Sequence, residues 1–196
     1  MKVIGLTGGI GSGKTTVLEL FKQLGCATYV SDIEAKKLMS NNVKLISEIK
    51  QLLGDEAYIN GNLNRNYIAK IVFNNKEKLK ALNALVHPAV REDFKSFVKQ
   101  SKSEIVIYEA AILFESGSDA LCDYIITVVT DINERIERII KRDGVTKQQV
   151  LERMQHQLND EIKIEKADFV INNSNVFNTK TQVNSIYKIL LKLSSK

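Results

Sequence analysis

The chain has 196 residues, with 28 Lys and Arg against 23 Asp and Glu for a formal net charge of +5. Apolar residues make up 44% and charged residues 26%, with ten glycines and one proline, which excludes a disordered, collagen-like or low-complexity chain. Two cysteines, Cys26 and Cys122, are too few for a disulfide framework, and no stretch approaches the roughly 18 apolar residues of a membrane span.

Residues 2–7 form a short apolar run ahead of a glycine cluster and read as a buried strand, too short for a signal-peptide core. Residues 14–24 place Val17, Leu18, Leu20, Phe21 and Leu24 at helical spacing, and Gly25 ends the helix. Residues 26–30 read as a second strand, completing a strand–helix–strand unit. The next stretch, 33–101, is expected to be helical at 33–40, 43–53, 66–74, 76–86 and 89–100, with a polar Gly/Asn-rich break at 54–64. It reads as an insertion into an α/β core. Alternation resumes with strands at 105–108 and 124–129, charged helices at 133–142 and 147–158, a last strand at 169–171 and a helix at 181–193. This order predicts an α/β fold with a mostly parallel sheet covered on both faces.

Gly8-Gly9-Ile10-Gly11-Ser12-Gly13-Lys14-Thr15 fits G-x-x-x-x-G-K-[ST] in full. Glycines let the backbone wrap tightly and aim N–H groups at phosphate oxygens. The helix that follows adds the positive end of its dipole. Lys14 is placed to bridge β- and γ-phosphates and Thr15 to ligate Mg²⁺. The motif therefore predicts binding of ATP or GTP, and the scattered positive charge fits phosphorylated small molecules better than nucleic acid.

Other residues keep two readings each. Asp32, just past the second strand, is either a carboxylate that accepts the proton of an attacking hydroxyl or an N-cap for a helix from Ile33. Glu109 is either an acid near the metal or a solvated charge at a strand end, and Glu115 is a weaker candidate. Arg135, Arg138, Lys141 and Arg142 recur at spacings of three and four, followed by Arg153. They form either a lid over transferring phosphates or a solvated face paired with Glu134 and Glu137. His87 precedes Pro88, which reads as the start of a helix, so His87 either contacts a ligand or caps. His156 reads as a surface residue. No Cys/His cluster suggests zinc, and no nucleophile elbow suggests a hydrolase.

Taken in order, several segments carry a more specific likeness: 5–16, Ser31-Asp32, 60–65, His87-Pro88-Ala89-Val90-Arg91, Ile112-Leu113-Phe114-Glu115, 138–143, 153–157 and 167–173. Together they resemble the dephospho-coenzyme A kinase family over nearly the whole chain. The resemblance implies a P-loop NTPase-type fold with a five-stranded parallel sheet. It implies a core of 1–32, 102–132 and 159–196, an acceptor domain at 33–101 and a lid at 133–158. It implies transfer of the ATP γ-phosphoryl to the ribose 3′-hydroxyl of dephospho-coenzyme A, with Mg²⁺; the residues themselves, with no apolar span and scattered charge, predict a cytoplasmic protein without membrane or nucleic-acid partners.

By matching positions, the resemblance places Gly8, Gly9, Gly11, Ser12, Gly13, Lys14, Thr15 and Thr16 around ATP, and Asn173 near its adenine. Asp32 becomes the base or hydroxyl-orienting group, and Arg142 with Arg138 the clamp. Arg65 and His87 face the acceptor, while Thr15 and Glu109 serve the metal. Arg135 stands where the family usually has Gln, Ala111 where it commonly has Pro, and Asn60 and Asn64 where it often has Asp. The competing readings are a kinase of another nucleoside or small metabolite, or a nucleotide-dependent switch.

Overall fold

The computed structural model describes residues 1–73, 75–155 and 157–194. In chain order the elements are β1 (Lys2–Thr7), α1 (Lys14–Gln23), β2 (Ala27–Val30), α2 (Ser31–Asn41), α3 (Val43–Leu53), β3 (Tyr58–Ile59), β4 (Asn62–Leu63), α4 (Arg65–Phe73) and α5 (Lys76–Gln100). There follow β5 (Ile105–Glu109), β6 (Tyr124–Val129), α6 (Ile132–Asp143), α7 (Lys147–Met154), α8 (Asp160–Lys166), β7 (Phe169–Asn172) and α9 (Val176–Ser194). Two units emerge, one of residues 1–30 with 101–196 and one of 31–100.

The first unit is built on a five-stranded sheet in the order β2-β5-β1-β6-β7, every pair parallel. Its central strands are apolar on both faces because helices cover both. Ile4, Leu6, Ile105, Ile107, Ile126 and Val128 are buried. Helices α1 and α9 bring Val17, Phe21, Val183, Ile186 and Leu190 to one continuous core, and each such side chain contributes about 1.5–3 kcal/mol on burial. A smaller cluster of Ile136, Ile139 and Val150 joins α6 to α7. Because all strands run one way, the loops after β1, β5, β6 and β7 gather on one rim, where α/β sheets bind ligands.

Local chemistry explains where several boundaries fall. Asp131 accepts from the N–H groups of Asn133 and Glu134 and starts α6, while Thr146 and Gln149 form a reciprocal capping box on α7. The 147–158 helix expected from the sequence stops at Met154, and a separate α8 begins behind the Asn159 cap. Asn175 accepts from the Phe177 N–H at 2.8 Å, so α9 starts at Val176 rather than at 181.

In the second unit, α3 presents Leu45, Ile49 and Leu53, and α5 presents Leu82, Val86, Val90 and Phe94, each stripe at helical spacing. The two helices expected at 76–86 and 89–100 are one helix, with Pro88 inside it. The apolar stripe runs unbroken across the proline, and its packing offsets the backbone hydrogen bond that proline gives up. The break at 54–64 holds a small hairpin, β3 paired antiparallel with β4. Asn60 and Gly61 both have positive φ, 50° and 79°, as a tight hairpin turn requires. The expected end of the 66–74 helix at Asn74, and the surface reading of His156, lie outside the described residues.

Candidate active site

The glycine loop joins β1 to α1 on the carboxyl rim of the first unit. Gly13 has φ 90°, and a Cβ there would be driven into the Asn173 amide. Only glycine gives both the left-handed turn and that close approach. Lys14 opens α1 and folds back over the loop, its Nζ donating to the Gly8 carbonyl at 3.0 Å. The Glu109 carboxylate, at the end of β5, lies 3.9 Å from the same ammonium, and both side chains are only 12% exposed. Glu109 is thus part of the loop's charge balance and not a solvated strand end.

Beside the loop is a cavity of about 320 Å³ bounded by Gly11, Gly13, Lys14, Thr15, Arg138 and Arg142, with Ile139 behind them. Arg138 donates to Glu134 at 2.9 Å and to the Asn173 carbonyl at 3.2 Å. Arg142 makes a two-pronged bond to Asp143 at 2.7 and 3.1 Å, and Arg153 reaches the same carboxylate at 2.7 Å. Hydrogen bonding from Arg142, with Arg153 adding to it, pulls the Asp143 carboxyl down to about 2. The arrangement gathers cations where a phosphate chain would lie, over the N-terminus of α1.

The side chains at this rim divide between the cavity and the interior. Arg135 does not join the cationic face: it is 6% exposed and turns behind the loop, because its guanidinium bonds the Ile10 carbonyl and Asp160. Asn173 is also turned inward, donating to the Ser12 carbonyl at 2.8 Å and accepting from Thr179 Oγ1 at 2.9 Å. Its amide supports the loop. The Ser12 side chain is fully buried, so this residue faces the protein interior, and its N–H closes a turn on the Gly9 carbonyl at 3.1 Å. Gly8 and Gly9 are buried loop backbone, whereas Thr15 and Thr16 are exposed at the start of α1.

Asp32, Arg65 and His87 stand in the second unit. Asp32 is an exposed residue in the first turn of α2, which starts at Ser31, so it is not the N-cap. Arg65 opens α4 and borders a hollow of about 480 Å³ around the β3–β4 hairpin. His87 lies within α5, so the capping reading fails; burial, then the neighbouring Arg91 charge, lowers its pKa and favours the neutral imidazole. Among the described residues no group of three or more His, Cys, Asp or Glu could hold a metal ion.

Sequence reasoning missed the supports behind the loop, Gln157, Thr130 and Lys163, and named Glu115 without its partner Lys163. Thr130 Oγ1 donates to the Ser12 carbonyl at 3.0 Å, and Gln157 accepts from the Ile10 N–H at 2.8 Å. Only Thr130 stood where a signal could be read, directly after β6.

Comparison with known proteins agrees with this geometry. Residues 2–179 match the family model described as CoaE, dephospho-CoA kinase. A dephospho-CoA kinase from Leptospira interrogans is 38% identical over 192 residues, covering 96% of this chain and 93% of its own. A solved structure from Thermus thermophilus superposes with a TM-score of 0.87 at 32% identity, covering 98% of this chain and 97% of that one. The dephospho-CoA kinase of Campylobacter jejuni superposes at 0.69 with 27% identity, over 97% of this chain and 98% of its own.

Proposed function

The chain belongs to the dephospho-CoA kinase family, and from that premise we propose that it moves the γ-phosphoryl group of ATP to the ribose 3′-hydroxyl of dephospho-coenzyme A. The observation that carries the reading is the cavity bordered by Lys14, Thr15, Arg138 and Arg142 at the N-terminus of α1. The acceptor oxygen bonds to the γ-phosphorus, the bond from that phosphorus to the bridging oxygen breaks, and ADP leaves. Little covalent work falls to the protein, so positioning and charge stabilisation supply most of the acceleration. Lys14 draws charge from the β- and γ-oxygens. Arg142 exchanges its Asp143 partner for the transferring group, with Arg138 beside it.

Asp32 orients the acceptor hydroxyl and takes its proton; its support is the family match and its place two residues beyond the end of β2. Arg65 and His87 contact the acceptor, a role supported by the same match. Mg²⁺ needs few protein oxygens when substrate phosphates supply the rest. Thr15 and Glu109 are the residues of this rim whose oxygens would hold it, and the bound ion would neutralise charge on the β- and γ-oxygens. No described helix is long and apolar enough to cross a membrane, and we assign the reaction to the cytoplasm, with no nucleic-acid partner.

The test is ADP formation with ATP and Mg²⁺, comparing dephospho-coenzyme A with AMP, adenosine, phosphopantetheine and single-stranded DNA. Stoichiometric ADP and coenzyme A with the first acceptor alone is the expected result. Turnover of a different acceptor would overturn the substrate. In the same assay Asp32→Asn lowers kcat more than it raises KM; unchanged kcat would remove Asp32 from its role.

A further inference from the structure

The tip of the phosphate loop is held from behind by side chains outside the motif. Both backbone polar groups of Ile10 are taken: its N–H donates to Gln157 Oε1 at 2.8 Å, and its carbonyl accepts from Arg135 Nε at 2.9 Å. The Arg135 guanidinium lies so close against the loop that a Cβ on Gly9 would be driven into it. Its other edge meets Asp160, the first residue of α8, at 2.5 Å.

The support continues beyond that pair. Lys163, on the same helix as Asp160, is fully buried. Its ammonium donates to the Ala111 carbonyl at 3.3 Å and lies 3.7 Å from Glu115. Glu115 in turn accepts from the Leu158 N–H at 2.7 Å. Burial lowers the Lys163 pKa, while the Glu115 and Asp160 carboxylates act against that fall. Arg135, Asp160, Lys163 and Glu115 thus form a group of two cations and two anions that links α6, α8 and the loop after β5. Buried ion pairs are costly to assemble and add little net stability, so stability alone is a poor reason for placing one against a ligand-binding backbone.

We propose that Arg135, anchored by Asp160, is a positioning residue that sets the backbone of the phosphate loop for nucleotide. It touches no substrate atom in this reading, which rests on the kinase function above. Arginine suits the task because its rigid fork serves two acceptors in one plane. The consequence is specific: loosening the support weakens ATP binding and leaves acceptor binding alone.

The experiment uses the full chain and reads ATP binding by calorimetry without any acceptor, so an error in the acceptor's identity does not affect it. Arg135→Met, Asp160→Asn and the double variant are compared, with thermal unfolding and KM and kcat for both substrates. Arg135→Met is expected to weaken ATP binding by about tenfold to a hundredfold, the scale of one charge-assisted hydrogen bond. The acceptor KM should stay within about twofold, as for a change confined to nucleotide binding. The double variant removes the stranded carboxylate, so it regains Tm while keeping the weak ATP binding. Recovery of both together, or wild-type ATP binding in Arg135→Met, would overturn the proposal. If Arg135→Met does not fold, Gln157→Leu decides: it releases the other grip on Ile10 without stranding a charge. It should weaken ATP binding by about threefold or more, and unchanged binding there would also overturn the proposal.

Discussion

The phosphate loop has two sides that use the same residue types for opposite ends. In front, Arg138 and Arg142 are 39% and 63% exposed at the side chain, with acidic partners from their own helix. Behind, the Arg135 side chain is 7% exposed and joins the loop to α8. Exposed pairs are weak and exchangeable, whereas buried ones are held firmly by the cost of stranding a charge. A cation that must trade its partner for a phosphate belongs in front. A cation that must hold the loop still belongs behind.

The largest effect separating the two sides should come from Lys14→Ala. It removes a cationic donor from the mouth of the site and should lower kcat/KM by about a thousandfold, near 4 kcal/mol of transition-state stabilisation. Tm should move by only a few degrees. A coupled ADP assay and calorimetry read the two quantities. A large loss of Tm with a small loss of turnover would show that Lys14 belongs with the supports. Asn173→Leu should show the reverse balance. It deletes the bonds to Ser12 and Thr179 and should destabilise by about 1–3 kcal/mol in urea unfolding. Its kcat, measured at saturating ATP, should fall by less than about tenfold.

The front of the site is easier to read from sequence than the back for a physical reason. The loop's chemistry is local: glycines, Lys14 and Thr15 are consecutive, and the flanking apolar run and helical stripe are short-range patterns. The parallel sheet is legible for the same reason, since fully apolar strands alternate with helices. The supports are long-range. Arg135 stands 125 positions from Ile10 and Asn173 stands 161 from Ser12, and no periodicity links them. On its own helix Arg135 lies in step with Arg138 and Arg142, so spacing groups it with the cationic face until packing separates it. Pro88 misleads in the opposite way: a local signal for a helix start is overridden by the stripe from Leu82 to Phe94. The short hairpin and α8 escape notice because two- and seven-residue elements carry too little pattern.

The smallest effect sharpens the claim that the front cations are loosely held. Asp143 binds both Arg142 and Arg153, and its carboxyl is pulled from the ordinary 3.8 to about 2. The folded protein therefore holds this proton less tightly than the unfolded chain, so the ionised form favours folding. Its contribution is present in full above the ordinary value and fades as pH falls toward 2. The Tm difference between wild type and Asp143→Asn should accordingly stay constant from about pH 5 to about pH 8 and close only in acid. Because the pair is exposed, added salt should shrink that difference at neutral pH. A difference that persists in acid and resists salt would mean that Asp143 acts through packing, and the contrast between a loose front and a fixed back would then fail at its most exposed point.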